Sequence, residues 1–315
     1  MNKQIINTVS KTVKVTAATI ILSAMSAFAG SKAGQSAGDF LLIGMGAQAA
    51  GMGGAYTASS KGASASYWNP ANLTTLEGGE VTLGHYRWFQ DITVNNAAFG
   101  FSLNEKTALS VSVIYLNYGT VQGRDLNGIE TGEIAAYDMA VGASLARSIT
   151  ENISVGVTGK YVSQQIENMN AYALAADFGA SYTTERFTVS GVVANIGTDM
   201  TYQDAKEPLP TAARVGVSFL PFSNSLRTSV EVEQRFAGDM VLRNGLEYNF
   251  DGQYFLRGGY NYNVQDQDRS AVSGLSFGGG VHFRALELDY AYTMQDKQTK
   301  ESLHRFSMAF QFGHK

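Results

Sequence analysis

Cysteine is absent from all 315 residues. That excludes disulfide stapling, attachment of lipid to an N-terminal cysteine, and every thiol chemistry. Charge is thin as well: Asp, Glu, Lys and Arg make up 16% of the chain, against the ~25% usual in soluble domains. A net charge of -4 is too small to point to a nucleic-acid partner. Proline occurs four times. Beyond residue 29 no uninterrupted apolar run reaches the roughly 20 residues a membrane helix needs. The four histidines, His85, His282, His304 and His314, stand at no metal-ligand spacing, so neither a metal nor another cofactor is expected. Glycine, at 34 residues, and aromatics, at 11%, are plentiful.

The first 29 residues read as an export signal. Lys3, Lys11 and Lys14 form a basic leader, 15–27 is apolar, and Ala27-Phe28-Ala29 supplies a small-residue cleavage site before Gly30. The apolar run is too short to span a membrane. The expected divisions are a signal peptide over 1–29, a short periplasmic leader over 30–37, a glycine-rich plug over 38–76 and a barrel over 77–315.

Beyond residue 76 the chain alternates. In Leu286-Glu287-Leu288-Asp289-Tyr290-Ala291-Tyr292 the even positions are large and apolar, and Phe306, Met308, Phe310 and Phe312 repeat the pattern. Successive strand side chains point to opposite faces, so each such segment has one apolar and one polar wall. Strands are expected at 79–89, 92–103, 107–119, 133–146, 152–166, 170–184, 186–196, 211–220, 225–236, 240–250, 253–262, 272–283, 285–294 and 303–313. That makes fourteen, an even number. Short turns alternate with longer connections at 120–132, 197–210, 263–271 and 295–302, the asymmetry of an outer-membrane barrel. The fold class expected is therefore all-β: a 14-stranded antiparallel transmembrane β-barrel with an N-terminal plug, in contact with outer-membrane lipid.

Charge assigns the faces. Arg or Lys toward lipid near the midplane costs roughly 2–4 kcal/mol, so the charged side of each strand must look inward. This places Arg227, Glu231, Glu233, Arg235, Arg243, Glu247, Arg257, Glu287, Asp289 and Arg305 in the lumen as a charge network, with Asp138, Lys160 and Asp177 on the earlier strands. Tyr86, Trp88, Tyr118, Tyr182, Phe250, Tyr260 and Tyr262 are assigned to the interfacial girdles.

Residues 38–76 do not alternate. Gly44, Gly46, Gly51, Gly53 and Gly54 allow close approach of backbone to a barrel wall, and Asn69-Pro70 favours a turn. The run Gly51-Met52-Gly53-Gly54-Ala55-Tyr56, followed by Tyr67-Trp68-Asn69-Pro70-Ala71, resembles the opening of the PorV/PorQ family of outer-membrane proteins. Asn195-Ile196-Gly197, Pro208-Leu209-Pro210 and the closing strands extend the resemblance over the chain. Asn72 stands where such families usually carry glycine. The resemblance implies a FadL-like barrel closed by a hatch.

Two enzyme-like motifs fail on context. Gly44-Met45-Gly46-Ala47-Gln48-Ala49 lacks the acidic residue and the βαβ unit of a dinucleotide site. Gly274-Leu275-Ser276-Phe277-Gly278 runs on as a strand where a nucleophile elbow needs a helix. No enzyme activity is expected. The resemblance implies support of protein secretion or surface attachment through a type IX-like system, with secretion components or exported proteins as partners. The alternative is FadL-like passage of small hydrophobic molecules. Outer loops of no more than about fourteen residues are short for a cargo-docking barrel, which favours a PorQ-like member as much as a PorV-like one.

Overall fold

A computed structural model describes residues 36–88, 92–124, 127–167, 169–202, 205–221, 225–266, 272–294 and 302–313. The export signal lies outside them. Seven strands run first: β1 (Gly79–Arg87), β2 (Thr93–Asn104), β3 (Thr107–Arg124), β4 (Glu130–Ser148), β5 (Ile153–Ile166), β6 (Met169–Thr183) and β7 (Phe187–Gly197). A small hairpin follows, β8 (Met200–Tyr202) and β9 (Ala205–Glu207). The remaining strands are β10 (Ala212–Phe219), β11 (Leu226–Arg235), β12 (Met240–Phe250), β13 (Tyr254–Asn263), β14 (Leu275–Phe283), β15 (Leu286–Thr293) and β16 (Leu303–Phe312). All but β8 and β9 join in one closed antiparallel barrel of fourteen strands, sealed where β1 pairs with β16. Every barrel strand has two neighbours, so no backbone edge is left to lipid.

The register sorts side chains by chemistry. Leu83, Leu288 and Met308 meet on the outside across β1, β16 and β15. Glu231 and Arg243, opposite one another on β11 and β12, are buried inside. Substituting Met308 by arginine, in mid-strand toward lipid, is expected to cost about 2–4 kcal/mol and to block assembly. Gln311→Arg is expected to assemble normally, because the Gln311 Nε2 already lies 3.3 Å from Glu80 and 3.1 Å from Glu287. Heat-modifiable mobility on gels reads both; equal behaviour would overturn this facing.

Three girdle assignments need correction. On β1 the outward positions are Leu83, His85 and Arg87, so Tyr86 points inward and is buried. Trp88 packs against the interior cluster. Tyr118 turns toward the mouth and donates to Asp138 at 2.7 Å. The connection expected over 120–132 is mostly strand: β3 and β4 run 18 and 19 residues, well beyond the 9–11 needed to cross, and stay paired out to Arg124 and Glu130. Within 198–211, the β8–β9 hairpin folds back so that Met200 and Leu209 are buried against Phe40 and Leu41.

Residues 38–76 occupy the lumen. They form a 3-10 turn (Asp39–Leu42), a short helix (Ala47–Gly51), a second (Ala65–Trp68) and a 3-10 turn (Pro70–Thr75). The segment crosses the barrel once. Ala37 donates to Pro208 O at the mouth with the longer connections, while Thr74 bonds Ser154 near the short turns. Short turns are periplasmic in such barrels. Ser36 and Ala37, assigned from sequence to a periplasmic leader, therefore sit at the outer mouth.

Candidate functional site

The site is the filled lumen, built where plug backbone meets polar wall. A chain with so little regular structure must find partners for its buried N–H and C=O groups, and the inward side chains provide them. Ser307 Oγ accepts from Ala47 N at 3.0 Å. Glu231 Oε2 accepts from Thr57 N at 2.9 Å, and Glu80 Oε1 from Ala63 N at 2.8 Å. Arg305 donates to Ile43 O and Gly44 O, and Thr158 to Ser66 O.

Tyr67 and Trp68 anchor the centre of the plug. Their rings meet edge-on with centroids 5.2 Å apart. Trp68 Nε1 donates to Met45 O at 3.0 Å, and Tyr67 Oη donates to Leu41 O at 2.6 Å while accepting from Gly44 N. The Arg214 guanidinium lies over both rings, 5.9 and 5.8 Å from their centroids.

Asn69 is extended and wholly buried. Its Oδ1 accepts from Ala71 N, capping the turn that Pro70 opens, and its Nδ2 donates to Ser181 on the wall. Asn72, where the resemblance leads one to expect glycine, is no bare turn residue. It donates to Thr57 O and Ser60 Oγ and accepts from Ser181 Oγ at 2.6 Å, so it locks two parts of the plug to β6.

The glycines sit where this packing is tightest. Gly53 has φ +64°, and a Cβ there would meet Tyr260 N at 2.5 Å. Gly51 lies against Gly278, and Gly54 against the Arg243 side chain.

The lumenal charges form two clusters. In one, Arg243 bonds Glu231 at 2.9 Å and Glu233 at 3.0 Å, and Glu233 also holds Arg235 at 2.9 Å and Arg214 at 3.9 Å. In the other, Arg257 bonds Glu247 at 2.7 Å and Asp289 at 2.6 Å, with Arg227 3.6 Å from Glu247. Arg305 joins neither; its guanidinium stacks on Tyr86, 4.3 Å from the ring centroid. Glu287 meets no arginine among the described residues but accepts from Gln311. On the earlier strands Lys160 and Asp177 pair at 2.6 Å, both buried.

Three members were missed from the sequence. Arg214 and Glu80 alternate with outward Val215 and Val81 and were legible by the same rule. The third, His282, faces Glu287 on the next strand and lies 3.4 Å from its carboxylate and 3.7 Å from Asp289. Such a trio can gather a cation, but Asp289 Oδ1 is already taken by Arg257.

A family model described as type IX secretion system protein PorV matches residues 28–242. No curated protein sequence matches the chain. Among solved structures, the CymD monoaromatic hydrocarbon channel superposes with a TM-score of 0.67 at 17% identity, covering 87% of this chain and 99% of that one. The Pseudomonas putida toluene transporter TodX gives 0.60 at 12% identity, with 84% and 96% covered. A Pseudomonas aeruginosa FadL homologue gives 0.59 at 12%, with 85% and 98% covered. Identities this low carry the barrel fold alone.

Proposed function

The chain belongs to the PorV family of type IX secretion system proteins, and on that premise we propose that it supports export and surface attachment of proteins at the outer membrane. On this reading it works from its outer surface, because its lumen is filled by 38–76 and its wall is closed at every strand pair. A polypeptide has no route through it. The filled lumen in a barrel of this family is the observation that carries the reading. Residues 1–29 then serve as the export leader, 38–76 as the plug and 77–315 as the barrel. The partners are secretion components and their exported proteins.

The runner-up, passage of small hydrophobic molecules, has the likeness to hydrocarbon channels in its favour. Against it, the cavities flanking the plug are lined by charge: Arg235, Arg243 and Arg305 on one side, Glu80 and Glu287 on the other. Deleting the gene is expected to strip the cell surface of proteins bearing a C-terminal sorting domain and to leave them in the periplasm. Toluene uptake should be unchanged. Intact surface display together with reduced toluene uptake would reverse the assignment.

A further inference from the structure

A cavity of about 260 Å³ lies between the plug and the outer ends of β11, β12, β13 and β15. Arg235, Arg243 and Arg305 line it, beside Asn263 and the plug residues Gly53 and Gly54. Among the described residues no carboxylate does. Asp39 and Asp239 border an adjoining cavity that shares Leu42 and Arg235, and Asp239 accepts from Asn263 Nδ2. Next to the cavity, inside the lumen, Glu231 and Glu233 answer Arg243, Arg235 and Arg214, two acids against three bases.

Arg305 is the least compensated. Among the described residues it has no carboxylate partner; it donates only to plug carbonyl oxygens, and its Nε is buried with no acceptor. A partly buried cation held by neutral groups alone is costly, and a converging set of them focuses a positive potential. The sign is local. At the inner mouth, a cavity of about 230 Å³ is lined by Glu77, Glu80, Glu287 and Asp289, with Lys61 the one fixed cation among the described residues that line it.

We propose that the outer cavity is a binding site for a small free oxyanion, phosphate or a short dicarboxylate, facing Arg235 on the wall and the plug-gripping Arg305 together. Guanidinium forks suit the oxygens of both ligands. The volume is far above the roughly 10–15 Å³ a single water needs, yet below the roughly 300–1,000 Å³ of drug-sized ligand sites. The anion would tie Arg235 on β11 to Arg305 on β16, and through Arg305, which grips the plug carbonyls, help hold the plug in place.

The test is a titration of the full mature protein in detergent with inorganic phosphate at constant ionic strength, read by calorimetry. Saturable binding is expected, weakened at least about tenfold in Arg305→Gln and largely kept in Arg305→Lys. Should Arg305→Gln fail to assemble, phenylglyoxal modification of the wild-type protein gives an independent readout: phosphate should protect Arg305 and Arg235, but not the exposed Arg124. Absence of saturable binding, equal binding by Arg305→Gln, or uniform protection of all arginines would overturn the site.

Discussion

Arg243→Ala is expected to destabilise the assembled barrel by about 3–5 kcal/mol, the usual consequence of removing one partner from a buried ion pair. Arg243 is nearly buried and bonds both Glu231 and Glu233. Its loss leaves Glu233 with Arg235 and the more distant Arg214, but leaves Glu231 only the Thr57 amide among its described partners. Glu231→Gln in the same chain should therefore restore part of the loss, since a neutral amide needs no cation. Urea unfolding in lipid vesicles measures all four corners of the cycle. Additive losses would mean that water screens the pair, as at an exposed site worth about 0–1 kcal/mol, and the lumen would then be open.

Gly259→Val is expected to open a steady ionic conductance in planar bilayers, while Gly258→Val leaves the protein closed. The two residues are neighbours on β13. A Cβ at Gly259 would lie 2.1 Å from Gly53 N and 2.2 Å from the Met52 carbonyl carbon, whereas at Gly258 nothing lies within 4 Å. Interiors packed to crystal density cannot absorb such an overlap by small shifts, and here the obstacle is backbone, so the plug must move. Fourteen strands enclose more than their own side chains fill, since about eight already give a packed interior. Deleting 38–76 should set the upper limit of the conductance. Closed behaviour in both Gly259→Val and the deletion would show that the plug does not seal the barrel.

The fold was legible because a wall between lipid and a polar interior imposes a period of two on every strand. The same rule assigned the charges from Arg227 to Arg305 to the inward face without knowledge of their partners. It did not fix β1, where Tyr86 was assigned by residue type although Leu83, His85 and Arg87 set the opposite phase. Nor could it show that Asn72 would be tied to Ser181 or that Glu80 would receive the Ala63 amide. Those contacts join segments that sequence periodicity does not relate, and the plug has no period to read. The His282–Glu287 pairing was within reach, since a two-residue turn at 284–285 fixes that rung.

The seam between β1 and β16 has a kinetic meaning. It pairs Gly79 with Phe312 and Arg87 with His304, joining the first barrel strand to the last. Loop-closure entropy must be met before such distant contacts contribute anything, so the cylinder closes late and two unsatisfied strand edges persist until it does. Exposed edges invite pairing with other chains. The plug, whose residues precede β1, has to be gathered in before that final rung forms. A chain shortened by its last strand would thus lose more than one strand: it would stay an open sheet with its plug uncaged, and aggregation would compete with insertion.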